Sequence, residues 1–134
     1  MPQQNPDIGH LAEQWIEFWL LPENSPEQDA LSWVTDREYD LVSENPDEAW
    51  FLILEILRRN NSSQILEVLS SGPLEDLLAK HGERIINAVE SEAKANPSFA
   101  TLLGGVWRNS ISEGVWSRVE KVRNRRGWDE NVVV

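Results

Sequence analysis

Asn45-Pro46-Asp47-Glu48-Ala49-Trp50-Phe51-Leu52-Ile53-Leu54-Glu55-Ile56-Leu57-Arg58-Arg59 holds a helix start, a nearly all-apolar body and a basic end in one run. The Asn45 side chain can accept a free backbone N–H. Pro46 suits the first helical position, and Asp47 and Glu48 favour the positive end of the helix dipole. A strand is the competing reading of the apolar body, but the cap and the two arginines favour helix. A helix that is apolar nearly all round is surrounded by others. The run therefore predicts an all-α, single-domain bundle of about seven or eight short helices packed around this central one.

Upstream, Ile8, Leu11, Trp15, Phe18 and Trp19 recur at helical spacing over 7–21, and Leu21-Pro22 closes that segment. Ser25-Pro26-Glu27-Gln28 repeats the start grammar, and Leu31, Val34, Leu41 and Val42 carry one second helix onward. Downstream, Asn60-Asn61 interrupts, and 62–71 reads as a helix with Ile65, Leu66 and Leu69 inward. Gly-Pro-Leu-Glu-Asp-Leu-Leu-Ala-Lys-His-Gly (72–82) reads as a complete short helix, with Gly72 as N-cap, Pro73 first, and Gly82 as C-cap. A separate helix over 83–95 carries Ile85, Ile86 and Val89. Asn96-Pro97 opens a short segment with Phe99, Leu102 and Leu103, which Gly104-Gly105 loosens at its end. The last helix is expected over 112–126, with Val115, Trp116, Val119 and Val122 inward and Gly127 as its C-cap. Asn-Pro recurs at 5, 45 and 96, and local cap chemistry explains this better than an internal repeat. One domain covers 1–134 with its core over about 7–128, and Val132-Val133-Val134 is expected to fray or tuck against a neighbour.

The chain of 134 residues has no cysteine, which excludes disulfides and thiolate chemistry. The start has neither a basic nor an apolar leader region, and the longest apolar run, Ala49 to Leu54, is far short of a membrane span. A cytoplasmic protein is the expectation. The net charge of −11 is uneven: residues 1–60 carry 13 acids against 3 bases, whereas 111–134 carry 4 acids against 5 bases. An acidic half repels phosphate backbones and attracts basic surfaces, so the expected partner is a basic protein rather than nucleic acid or membrane.

Candidate chemistry is sparse. His81 lies close in sequence to Glu75 and Asp76, but about 100° of turn per residue puts both carboxylates well round the helix from it. Helix grammar accounts for all three: acids in the first turn, Asp76 four before Lys80, and an imidazole in the last turn. His10, Glu13 and Glu17 share one helix face, yet with no cysteine and one other histidine they read as a solvated acidic face, and no metal or other cofactor is expected. Arg118, Lys121 and Arg125 lie at helical spacing and could grip a phosphate or an acidic partner; they also suit a helix C-terminus. Of the seven Trp, Trp15, Trp19, Trp50, Trp107 and Trp116 look like core and Trp33 and Trp128 are less committed, with Trp128 the candidate for an exposed or partner-contacting ring. No nucleotide-binding or nucleophile motif is present.

Four stretches carry a resemblance: Trp-Ile-Glu-Phe-Trp (15–19), Asn-Pro-Asp-Glu-Ala-Trp (45–50), the 72–82 segment and Leu-Leu-Gly-Gly-Val-Trp (102–107). Over about 11–128 the chain resembles a bacterial family known only as a domain of unknown function. The resemblance implies a small, stand-alone, helical bacterial protein and brings no activity with it. The functional expectation is a non-enzymatic protein-interaction module, in one version an immunity-type protein masking a basic partner. A small hydrolase or ligand-binding protein centred on His81, and a homo-oligomeric structural protein, remain the alternatives.

Overall fold

The computed structural model describes residues 6–128, so Asn5 and the Val132–Val134 tail lie outside the described residues. In chain order come α1 (Pro6–Leu20), α2 (Pro26–Ala30), α3 (Trp33–Glu44), α4 (Pro46–Arg59), α5 (Ser63–Leu69), a π-turn (Ser70–Leu74), α6 (Glu75–Ala95), α7 (Pro97–Gly104) and α8 (Glu113–Val122). No strand occurs among the described residues. α4 packs on α1, α3, α6 and the π-turn, and buries Ala49, Trp50, Leu52, Ile53, Ile56 and Leu57. Its placement at the centre follows from the apolar surface it has to remove from water.

The proline-marked starts hold where the residue before proline offers a side-chain acceptor. Ser25 Oγ accepts from the Gln28 N–H at 3.1 Å, Asn45 Oδ1 from Glu48 at 3.4 Å, and Asn96 Oδ1 from Ser98 at 3.1 Å. Gly72-Pro73 offers none, and no helix starts there. The chain instead stays wound from α5 into α6 through the π-turn, in which the Glu75 N–H donates to the Ser70 carbonyl five residues back. Proline lacks an N–H and crowds the preceding turn, and the wider π-turn accommodates both.

The expected boundary at His81-Gly82 is a kink inside α6 rather than a helix end. His81 leaves helical geometry at φ −135°, ψ 29°, and the helix resumes to Ala95. Gly82 is therefore no C-cap. It is buried where α6 meets α8, and a Cβ there would stand 3.0 Å from both Val115 methyl carbons. Two further boundaries move. Residues 25–44 divide into α2 and α3, and α8 ends at Val122, so Gly127, at φ +92°, closes a turn beyond it.

The core joins Trp15 of α1, Leu41 of α3, Ile53 of α4, Ile65 of α5, Leu77 and Leu78 of α6, Phe99 of α7 and Val119 of α8. Two tryptophans depart from expectation: Trp107 is 69% exposed and Trp128 is half-buried. Trp107 follows the last buried residue of its run, Val106, and leads into polar Arg108-Asn109-Ser110. Trp128 is covered because Gly104 and Gly105 let the chain lie over the end of α7. A Cβ on Gly105 would come 2.6 Å from the Trp128 ring, and one on Gly104 1.9 Å from the Asn124 carbonyl oxygen.

Candidate functional site

Helices end with backbone carbonyls that have no partner in their own helix. Two groups of suspected site residues serve that need on other helices. At the α3–α6 seam, His81 Nε2 donates to the Ser43 carbonyl at 3.2 Å, beside Lys80 Nζ, which donates to Ser43 Oγ at 3.1 Å. Lys80 Nζ also lies 4.4 Å from the Tyr39 ring centre. A carbonyl acceptor fixes the proton on Nε2. At the end of α7, the Asn124 N–H donates to the Ala100 carbonyl, Arg125 Nη1 to the Gly104 carbonyl at 2.8 Å, and Trp128 Nε1 to the Thr101 carbonyl at 2.6 Å.

Glu75 and Asp76 diverge from His81. Glu75 accepts from the Trp107 backbone N–H at 3.3 Å and from Asn109 Nδ2, and so holds the loop between α7 and α8. Asp76 bears on a residue that the sequence reading passed over, Glu38. The Glu38 carboxyl accepts from Trp15 Nε1 at 3.1 Å, and burial pushes it up to about 7, with the Asp76 charge adding to the shift. A signal was available: Glu38 falls between Val34 and Leu41 in the inward stripe of α3. Arg118 forks onto Glu90 and also donates to Asn87 Oδ1, which holds the Glu90 carboxyl below its usual range. Lys121 is exposed on α8. The suspected residues thus form no single catalytic constellation. Glu75, Arg125 and Trp128 gather around Trp107, and Asp76, His81, Arg118 and Lys121 stand elsewhere. His10 stacks on Trp33 at 6.4 Å, and Glu13 pairs with Arg59.

The group around Trp107 borders a cleft of about 440 Å³ lined by Trp19, Val68, Ser71, Trp107, Arg125 and Trp128 among others. The π-turn forms one wall, where the Ser70 and Ser71 hydroxyls both donate to the Glu67 carbonyl. The buried Trp19 Nε1–H has no acceptor among the described residues. A second, smaller cleft of about 290 Å³ shares Glu67 and Trp128 and runs to Leu66 and Arg126.

A family model described as a family of unknown function (DUF6869) matches residues 22–127. The chain belongs to that family. The match takes in α2 to α8, so the Trp107 loop, the π-turn and the His81 kink of this DUF6869 member all lie within it, whereas α1 lies outside. No curated protein and no solved structure matches the chain. No helix of the described residues is long and apolar enough to cross a membrane.

Proposed function

We propose that this DUF6869 member is a non-enzymatic protein-interaction module that binds a basic partner through α2 and α3, in the manner of an immunity-type protein. One observation carries the reading. Glu27, Asp29, Asp36, Asp40 and Glu44 are exposed on these helices without an ion-pair partner among the described residues; Arg37 is the one base within α2 and α3, and Lys80 of α6 reaches Ser43 and Tyr39 at their edge. Arg58, Arg59, Arg84, Arg118 and Arg123 are meanwhile tied to carboxylates elsewhere. Unneutralised acids raise the rate of encounter with a basic surface. Trp33, 43% exposed, and Tyr39, 58% exposed, add the aromatic area that anchors interfaces.

The test is binding of a panel of small basic proteins at low and high salt, with the Asp36→Asn/Asp40→Asn/Glu44→Gln variant as control. The expected result is at least one ligand whose affinity falls about tenfold or more with salt and is lost in the variant. Binding to none, or binding indifferent to salt, removes the reading.

A further inference from the structure

The cleft beside Trp107 lies outside the acidic face and differs from it in chemistry. Residues 104–128 carry Arg108, Arg118, Lys121, Arg123, Arg125 and Arg126 against Glu113 and Glu120, in a chain of net charge −11. Arg118 and Arg123 are tied to carboxylates; Arg108 and Arg126 have none among the described residues. The apolar surface is equally distinctive. Trp19, Val68 and Trp128 line the cleft, and Trp107 stands at its edge with 69% of its surface in water.

That exposure is held in place. The backbone N–H of Trp107 and the side chain of Asn109 are both fixed to Glu75, Asn109 itself sits at φ +40°, and the Ile111 N–H closes a turn onto the Arg108 carbonyl at 2.7 Å. A large apolar ring kept in water by a braced loop costs free energy in isolation and loses little further freedom when a partner covers it. The cleft volume lies within the range of about 300–1,000 Å³ found for binding sites, and a π-turn in a wall is a common accompaniment of such sites.

We propose that the Trp107 cleft is a second docking surface, for a partner polypeptide segment that places a large apolar side chain against Trp19, Trp107 and Trp128 and a neighbouring carboxylate against Arg126. The two adjoining clefts take successive side chains of such a segment, with Trp128 as the ridge between them. Charge selects the occupant. Among the charged residues that line the two clefts, Arg125 and Arg126 outnumber Glu67, so a single carboxylate seated on Arg126 is accepted here and repelled by α2 and α3, whereas a basic segment is drawn to α2 and α3.

The experiment is selection of a random displayed-peptide library on the immobilised full chain, followed by affinity measurement on Trp107→Ala and Arg126→Gln. Both positions are exposed, so both variants are expected to fold, and the far-ultraviolet spectrum and melting temperature check this. The expected result is enrichment of peptides with Phe, Trp or Leu next to Asp or Glu. Their affinity should fall at least about tenfold on Trp107→Ala and several-fold on Arg126→Gln. Enrichment of basic peptides alone, indifferent to Trp107→Ala, overturns the proposal and leaves the acidic-face reading standing. No enrichment overturns it as well. Self-association of the free chain that Trp107→Ala abolishes also overturns it, because the occupant is then a second copy.

Discussion

At the α3–α6 seam, the side chains that look reactive hold two helices together: His81 and Lys80 close the end of α3, and Glu38, half-buried, accepts from Trp15. Around Trp107 the polar groups brace a loop so that an indole stays in water. The same chemistry, a donor or carboxylate meeting an orphan backbone group, consolidates the interior in one place and displays apolar surface in the other. The difference lies in what the clamped backbone carries: packed leucines at the seam, a tryptophan on a turn at the cleft.

The largest effect should come from the place where the cleft is built. Gly104→Ala drives a Cβ into the Asn124 carbonyl, so a loss of about 2–4 kcal/mol in urea unfolding is expected, together with detachment of Trp128 from Thr101. A loss below about 1 kcal/mol would mean that the 123–128 segment is not seated as described.

The seam has its own signature with pH. Folded Glu38 titrates at about 7 against 4.5 for the free group, so between those values the folded chain holds the extra proton. Its contribution is complete below about 4.5 and lost as pH rises through about 7, a fall of about 3 kcal/mol across the window. Glu38→Gln keeps an acceptor for Trp15 and should flatten that slope; an unchanged slope assigns it to other groups.

His81→Ala leaves the Ser43 carbonyl without its donor and should cost about 1–2 kcal/mol, a melting shift of several degrees, with no change in peptide binding at the cleft. Glu75→Ala should cost about 1 kcal/mol and, unlike His81→Ala, weaken that binding by freeing the loop. Trp107→Ala should be nearly neutral for stability, within about 0.5 kcal/mol, and the most damaging of the three for binding. If His81→Ala and Trp107→Ala changed places in these two assays, the contrast between seam and cleft would collapse.

The fold was legible where a residue's role is set within a turn of itself. Ser25, Asn45 and Asn96 announced helix starts, and the apolar stripes of α1, α4 and α8 announced the core. The reading failed where a partner lies far away in sequence. Gly72-Pro73 looks like a start because proline often begins helices, yet without a side-chain acceptor the preceding helix runs on through it. His81 reads as the end of its own helix; its interaction is with the end of α3, 38 positions upstream. Trp107 is exposed where core was expected, and Trp128 is half-buried because Gly104-Gly105 leaves room for its ring. The mixed polar run after Trp107 was the clue to its exposure.

The π-turn sets the angular phase of everything that follows it. A normal helix advances about 100° per residue, so one residue more or fewer between α5 and α6 would swing Leu77, Leu78, Ile85 and Ile86 about a quarter-turn round the axis. Deleting a single position in 70–74 would leave the composition almost untouched and aim the longest helix at solvent. In this stretch the spacing of the chain is under tighter constraint than the identity of its side chains.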